Sequence, residues 1–270
     1  MSRPHIEFIQ AQVLPWEPNS WREGTQAKIL SHDQETGALS SLVAYPSLWQ
    51  ADQIKTTVDE EIYVLDGELK INGDSFKSGC YGFLPAGFCR SISTEAGAVV
   101  LSFLELSSSD SPDEYPHMLR LDTHDMPWSD ATDPNVIQAR VGLKELRVDP
   151  RTSERTWILK MDVEDGERFA INGIERHPVV EELFILEGDI TMATGRLRQG
   201  AYFWRPPMIP HGPTAVEGRF VGFFRCRGGA FETFWSDFDT QVIWDHKYKP
   251  ILPKAIREKA FDADEQTRKY

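Results

Sequence analysis

The chain has 270 residues, of which 40% are hydrophobic and 11% aromatic, enough for two domains with packed cores. Its formal net charge of −13 argues against nucleic acid or an anionic membrane as the binding partner. Seventeen prolines and nineteen glycines favour short strands and turns over long helices.

Cysteine content and the first residues bear on the cellular compartment. The three cysteines, Cys80, Cys89 and Cys226, are odd in number and form no Cys-x-x-Cys pair. The first residues, MSRPHIEFIQ, lack the apolar segment of a signal peptide, and no stretch approaches the roughly 18 apolar residues of a membrane helix. We therefore expect a soluble, cytoplasmic protein with reduced thiols.

Segments with the composition of β-strands recur along the chain. In chain order they are residues 41–45, 61–65, 157–161, 182–186 and 219–225. They are rich in β-branched and aromatic residues, and several alternate with a period of two. Because no long amphipathic helix is indicated, the pattern predicts an all-β protein with two antiparallel barrels in tandem.

An internal repeat with a constant offset supports this duplication. Residues 59–69, DEEIYVLDGEL, return 121 residues later as residues 180–190, VEELFILEGDI. Residues 54–90 and 175–211 align without a gap, and eight of the thirty-seven positions are identical. A repeat of this length determines the architecture, because each copy must fold as the same unit.

The repeat also suggests where the domains begin and end. Residues 13–16 recur as residues 125–128 with a shared Pro-Trp, and the polar, turn-rich residues 107–116 lie between the copies. The predicted division is an N-terminal barrel over residues 1–115, a C-terminal barrel over residues 116–245 and a C-terminal arm over residues 246–270.

The second copy contains residues whose side chains bind metals. Glu175, His177 and Glu181 are all odd-numbered, so on extended backbone they point to one face. His211 follows a proline-rich turn thirty-four residues after His177, and a neighbouring strand can bring it to the same place. A mixed set of imidazoles and carboxylates suits Fe(II), Mn(II), Ni(II) or Zn(II) with open coordination positions. We predict one divalent metal per chain.

The first copy lacks the imidazoles. Ile54, Thr56, Glu60 and Arg90 occupy the corresponding positions, and isoleucine cannot bind a metal. Arg90 supplies the positive charge that a metal would supply, so the favoured interpretation is a buried ion pair between Glu60 and Arg90. The alternative is an anion pocket in which Arg90 holds a ligand carboxylate. Either interpretation predicts a metal-free first barrel.

Aromatic residues near the second set of ligands indicate a substrate pocket. Tyr202 and Trp204 share one face of a strand while Phe203 and Arg205 share the other, so one pair faces the barrel interior. Barrel mouths are common ligand sites. The predicted pocket residues are Tyr202, Trp204, Trp157 and Arg168.

Residues 175–188 and residues 206–211 resemble the two motifs of the cupin superfamily, His-x-His-x3-Glu-x6-Gly followed by Pro-x-Gly-x2-His. Within it the chain is most similar to the ChrR-type branch, and the resemblance covers residues 25–108 and 140–228. It implies a bicupin of two RmlC-like jelly-roll barrels, with His177, Glu181 and His211 as metal ligands.

The chain departs from those motifs at two positions. Glu175 stands where the first motif has its first histidine, so it is expected either to be a fourth ligand or to act as a base. Met208 stands where the second motif has glycine, so the turn before His211 is expected to differ.

The resemblance implies a mononuclear non-haem Fe(II) dioxygenase that acts on a small dicarbonyl, enol or phenolic substrate. One alternative is a non-catalytic metal- or ligand-sensing module of ChrR type. Another is an isomerase, lyase or hydrolase that depends on Zn(II) or Mn(II). The expected partner is a small molecule, neither nucleic acid nor a membrane, and a homodimer remains an open alternative.

Overall fold

The structure, a computed structural model, describes residues 3–107, 117–130, 141–164, 167–236, 252–259 and 270. Nearly all regular structure in these residues is β-strand, and no helix among them is long and apolar enough to span a membrane. The chain divides into a first unit, Met1–Pro4 with Pro15–Met126, and a second unit, His5–Leu14 with Pro127–Tyr270.

The described residues contain twenty-two strands. In chain order they are β1 Ile6–Gln10, β2 Glu17–Pro18, β3 Gln26–His32, β4 Leu39–Tyr45, β5 Gln50–Ile54, β6 Val58–Ile71, β7 Asp74–Lys77, β8 Cys80–Leu84, β9 Arg90–Ser93, β10 Ala98–Leu106, β11 Leu119–Asp122, β12 Ser129–Asp130, β13 Gly142–Val148, β14 Arg155–Asp162, β15 Phe169–Ile171, β16 Ile174–Arg176, β17 Val180–Met192, β18 Gly195–Arg198, β19 Ala201–Arg205, β20 Thr214–Val216, β21 Arg219–Arg227 and β22 Phe234–Ser236. A 3-10 turn, Ala11–Val13, follows β1. A short helix, α1, covers Lys254–Lys259 in the described part of the predicted arm.

Each unit contains one ten-stranded sheet, and the two sheets have the same strand order. In the first unit the order is β11-β8-β6-β10-β4-β3-β2, and in the second unit it is β1-β19-β17-β21-β14-β13-β12. Beside these paths, β7 and β9 pair with β6, as β18 and β20 pair with β17, while β5 pairs with β9 and β15 with β20. Every strand of one sheet therefore has a counterpart in the other. The predicted fold class, an all-β chain with two duplicated jelly-roll barrels, is confirmed.

The central strand of each unit is buried on both faces. Residues 59–65 of β6 and residues 180–185 of β17 are all buried. Ile62 packs in the core of the first unit, and Leu183, its counterpart 121 positions later, packs in the core of the second. Since burying such a side chain contributes about 1.5–3 kcal/mol, these strands anchor the two barrels.

The strand that precedes each repeat belongs to the unit formed by the other repeat. β1 lies before the first unit's strands in the chain, yet it pairs with β19 of the second unit, with Ile9 opposite Tyr202. β11 lies before the second unit's strands, yet it pairs with β8 of the first unit, with Leu121 opposite Tyr81. Each leading strand thereby satisfies backbone donors and acceptors along a sheet edge.

This exchange changes the division of the chain from the predicted one. Residues 5–14 belong to the second unit, and the first unit extends to Met126 instead of ending at residue 115. A boundary drawn from turn-rich sequence cannot detect the exchange, because strand pairing between distant segments has no local signal.

The repeated turn glycines, Gly67 and Gly188, are required by conformation and by space. Both have left-handed backbone, with φ of 75° and 71°. A Cβ added to Gly67 would lie 2.1 Å from the carbonyl oxygen of Gly97, and one added to Gly188 would lie 1.7 Å from that of Arg219. Only glycine fits at such positions.

Gly188→Ala is expected to lower the free energy of unfolding by about 2–4 kcal/mol, because the methyl group adds a clash with a neighbouring strand to the left-handed strain. Gly218→Ala is the matched control, since Gly218 has φ of 87° and open space around its Cα. The control should lose only about 1–2 kcal/mol. Urea denaturation of both variants measures the difference, and equal losses would contradict the steric argument.

Candidate metal centre

Backbone hydrogen bonds bring the predicted ligands of the second unit together. Glu175 lies on β16, where its N–H donates to the carbonyl oxygen of His211 at 2.9 Å and its own carbonyl oxygen accepts from the N–H of His211 at 2.9 Å. The N–H of Met208 donates to the carbonyl oxygen of His177 at 2.7 Å. Glu181 lies on the buried strand β17. The four side chains are therefore placed by paired backbone.

The ligand atoms of these residues surround one point. The Nε2 atom of His211 lies 3.3 Å from Glu181 Oε2 and 3.5 Å from Glu175 Oε1. The Nε2 atom of His177 lies 3.8 Å from Glu181 Oε1. One ligand atom each from Glu175, His177 and His211 lie within 4.8 Å of one another. These separations suit a single ion held between the side chains.

The two imidazoles are oriented as metal ligands are. His177 Nδ1 lies 2.9 Å from the carbonyl oxygen of Glu232, and His211 Nδ1 lies 3.0 Å from that of Ile209. Since a carbonyl oxygen can only accept, each Nδ1 carries the proton and each Nε2 presents a lone pair. Both Nε2 atoms are buried and have no hydrogen-bond partner among the described residues. Two orphaned acceptors beside carboxylates fit a bound cation.

Arg205 holds the carboxylate of Glu181 in its ionised form. Arg205 Nη1 donates to Glu181 Oε2 at 3.0 Å, and Arg205 Nη2 donates to Glu7 Oε1 at 2.7 Å. Burial raises the pKa of Glu181, but the positive charges of His211 and His177, when these imidazoles are protonated, and of Arg205 lower it below its ordinary value. The Oε1 atom of Glu181, which is turned away from Arg205, remains available to a metal.

The charges around this point favour a divalent cation. With neutral imidazoles, the carboxylates of Glu7, Glu175 and Glu181 outweigh the guanidinium of Arg205 by two negative charges. Buried charge is costly unless it is compensated. A divalent ion supplies that compensation.

The ligands lie in a cavity of about 380 Å³ with largely apolar walls. Its aromatic lining consists of Trp157, Phe203, Phe220, Phe224, Phe231 and Trp235. Apart from the four predicted ligands and Arg205, its polar lining consists of Arg155, Thr214 and Thr233. A concave, mostly apolar space with a few polar groups is typical of small-molecule sites.

Comparison with known proteins places the chain in a family. Residues 10–232 match the family model described as a domain of unknown function, DUF4437. The chain belongs to the DUF4437 family. No curated protein matches the sequence.

Solved structures share the fold of this DUF4437 protein. A protein from Nostoc punctiforme described as a "putative dioxygenase" is 19% identical with a TM-score of 0.73, covering 89% of this chain and 92% of that chain. Protein Ylba from E. coli, assigned to DUF861, is 12% identical with a TM-score of 0.61, covering 84% and 93%. Oxalate decarboxylase from Bacillus subtilis, described for its Mn(II) centres, is 11% identical with a TM-score of 0.55, covering 84% and 78%. These similarities support the cupin fold.

The predicted pocket residues of the DUF4437 protein are partly wrong. Trp157 lines the cavity, but Tyr202 and Trp204 do not. In the register between β17 and β19, Glu181 lies opposite Arg205, so the odd-numbered residues of β19 face the ligands. Tyr202 instead donates its hydroxyl to Glu182, on the other face of β17.

Arg168 also lies outside the cavity. Its side chain is 45% exposed and forms an ion pair with Glu217. The prediction failed because Arg168 precedes β15 in an irregular segment, where strand alternation gives no direction for a side chain.

The first unit of the DUF4437 protein has the same backbone arrangement with different side chains. Arg90, opposite Ile54 on the paired strand, donates to Glu60 Oε2 at 2.5 Å, and both charged side chains are fully buried. Arg22, which the sequence interpretation missed, donates to the same oxygen at 3.0 Å. Among the described residues, the grouping that can hold a metal lies in the second unit. Here two guanidinium groups stand in place of an ion.

Met208 keeps the turn of the motif although it replaces glycine. Its φ is 66°, and its first-unit counterpart Gly87 has φ of 81°. The N–H of Gly87 donates to the carbonyl oxygen of Thr56 at 2.9 Å, as that of Met208 donates to His177. A non-glycine residue in this region costs on the order of 1 kcal/mol, a strain found at functional sites. The expected change in the turn does not occur.

Proposed function

We propose that this protein is a metal-dependent enzyme, a mononuclear non-haem Fe(II) dioxygenase for a small dicarbonyl, enol or phenolic substrate. The observation that carries the proposal is the pair of buried, unpartnered Nε2 atoms of His177 and His211 beside two carboxylates. A set of two imidazoles with carboxylate leaves coordination positions open, which is typical of non-haem iron sites. A closed structural zinc site would leave none.

The residues of the cavity have separate roles in this proposal. A divalent metal would supply Lewis acidity and a template for the oxygens of an enolate. Glu181, held ionised by Arg205, gives the site its permanent negative charge. The side chain of Glu175 is 21% exposed, so it is the carboxylate that can accept the proton lost when a dicarbonyl enolises. The aromatic walls exclude bulk water.

The proposed reaction needs no added reductant. A 1,3-dicarbonyl consumes one O₂, and the bond between its central carbon and one carbonyl carbon breaks. One oxygen atom enters the carboxylic acid product, and the other enters the new carbonyl of an oxoaldehyde. The substrate supplies the electrons that reduce O₂. Glu175 takes up a proton when the substrate enolises and returns it to the products.

Similar structures are described for more than one chemistry. The Nostoc protein is described as a "putative dioxygenase", and the oxalate decarboxylase is described for its Mn(II) centres. A manganese-dependent lyase is the second candidate, because Glu175 lies 3.5 Å from His211 Nε2, where it can act as a base beside an ion. The two candidates differ in their need for oxygen.

Protein purified without oxygen and supplied with Fe(II) is expected to consume O₂ with 1-phenyl-1,3-butanedione. His177→Ala should abolish the uptake while circular dichroism remains unchanged, because His177 is a side-chain ligand on retained backbone. His32→Ala, at an exposed position of β3, is the matched control. Turnover without O₂ in the presence of Mn(II) would favour the lyase, and turnover after chelation would refute a metal mechanism.

A further inference from the structure

The mouth of the metal cavity carries an arginine that the metal site does not use. Through the register of β14, β21 and β17, Arg155 lies opposite Cys226, and Cys226 lies opposite Glu181. Arg155 is therefore at the level of the metal ligands, two strand spacings or about 10 Å of sheet away from Glu181. Its side chain lines the cavity and is 27% exposed, so it faces both the cavity and the solvent.

Arg155 has a hydrogen-bond donor that no described residue accepts from. Its Nη2 atom lies 3.3 Å from Glu145 Oε2, and its Cζ atom lies 4.7 Å from the ring centre of Trp157. Its Nε atom is buried and has no partner among the described residues. Thr214, 5% exposed and lining the same cavity, has an unpartnered buried hydroxyl oxygen as well. A cation does not account for the guanidinium, because Arg155 has only donors, and the Thr214 hydroxyl can donate to an anion as well.

A continuous row of aromatic rings connects Arg155 with the metal ligands. Trp157, beneath the guanidinium, stacks on Phe224 with centroids 5.3 Å apart and also meets Phe231 edge-on at 5.0 Å. Phe231 in turn stacks on the imidazole of His177 at 4.2 Å. A planar apolar body fits against this row, with one end at Arg155 and the other at the ligands.

The ion pair of Arg155 with Glu145 is suited to exchange. The side chain of Glu145 is 57% exposed, and exposed pairs contribute only about 0–1 kcal/mol. A ligand carboxylate that enters the cavity can accept two parallel hydrogen bonds from the guanidinium in a less solvated place. Glu145 is therefore a competitor that an anionic ligand displaces.

We propose that the cavity takes a small aromatic oxo acid, whose carboxylate binds Arg155 and whose ring packs on Trp157 and Phe231. The proposal rests on the proposed function in placing the oxo group towards His177 and His211. It adds the substrate class and assigns specificity for the negative charge to Arg155.

Isothermal titration calorimetry with 4-acetylbenzoate, which carries its carboxylate and its oxo group at opposite ends of the ring, tests the proposal, with its methyl ester and pyruvate as the other probes and with the protein both metal-depleted and loaded with Mn(II). Wild-type protein is expected to bind 4-acetylbenzoate at least about tenfold more tightly than either other probe, as expected for hydrogen bonds to a charged group and for aromatic packing. Arg155→Gln should weaken 4-acetylbenzoate binding about tenfold and leave ester binding unchanged. Glu145→Gln should tighten 4-acetylbenzoate binding about two- to threefold, since it removes the competitor.

Two further variants keep the test decisive. Arg168→Gln removes an exposed arginine that lies outside the cavity and should leave all three affinities unchanged. If Arg155→Gln folds poorly, Arg155→Lys replaces it in the test. Arg155→Lys retains the positive charge and should retain part of the preference for the acid. Equal affinity for acid and ester in wild-type protein, no binding of 4-acetylbenzoate, or a preference that survives Arg155→Gln would overturn the inference. If wild-type protein shows the charge preference but takes up no Mn(II), the proposed function is refuted and the inference about Arg155 stands.

Discussion

His211→Ala is expected to reduce the bound divalent metal from one per chain to less than about one tenth. The substitution removes one of the two Nε2 atoms that face the carboxylates of Glu175 and Glu181. Loss of groups that merely orient a ligand lowers metal affinity about 10–100-fold, so loss of a ligand should exceed about 100-fold. Elemental analysis after gel filtration gives the stoichiometry, and titration with Mn(II) gives the affinity.

The fold should survive this substitution because backbone hydrogen bonds, not the imidazole, hold residue 211 against Glu175. Arg90→Ala is the matched control in the other repeat and should leave the metal content at one per chain. Full metal content in His211→Ala, or a stoichiometry near two in wild-type protein, would show that the ion binds elsewhere.

Glu60→Gln is expected to lower the free energy of unfolding by about 3–5 kcal/mol, the usual cost of breaking a buried ion pair. The reason is charge balance: Glu60 is the carboxylate that both Arg22 and Arg90 contact, and all three side chains are almost completely buried. Removing it leaves two guanidinium groups without compensation. Arg90→Met should cost less, because Arg22 still neutralises Glu60. Urea denaturation of Glu60→Gln and Arg90→Met measures the two losses of stability.

The cluster of Glu60, Arg22 and Arg90 also predicts that the protein loses stability in acid. Burial raises the pKa of Glu60, but Arg22 and Arg90 bring it down to about 2, below its ordinary value of 4.5. Because the folded-state pKa is depressed, the stabilisation is complete above pH 4.5 and is lost as the pH falls towards 2. Glu60→Gln should remove this acid-dependent part of the profile. Glu95→Gln, at a pair whose carboxylate is 81% exposed, is the control and should leave the stability nearly unchanged. A Glu60→Gln protein as stable as the control would contradict the charge argument.

The fold and part of the site could be predicted because their signals are periodic. The offset of 121 residues is odd, so the inward face changes from even numbers around Ile62 to odd numbers around Leu183, and both cores follow this change. The common parity of Glu175, His177 and Glu181 likewise predicted their convergence, and the structure places them around one point.

Register and long-range partners could not be predicted from the sequence. A shift of one residue between β17 and β19 would place Trp204 opposite Glu181 in place of Arg205, and nothing in the local sequence excludes that shift. Arg22 and Glu7 reach their partners from positions 38 and 198 residues away along the chain. Periodicity describes which way a side chain points, but not which distant segment it meets.

The exchanged strand β1 has a consequence for biosynthesis. Ile9 leaves the ribosome about 190 residues before its pairing partner Tyr202, a delay of about 10–40 s at usual elongation rates. During that interval the segment Ile6–Gln10 has no pairing partner. An unpaired strand of this kind can pair with strands of other chains. Glu7 on the same strand pairs with Arg205, so the ligand cluster is completed only after Arg205 has been synthesised. Slow translation and crowded polysomes should therefore favour aggregation of this protein more than of a barrel built from consecutive strands.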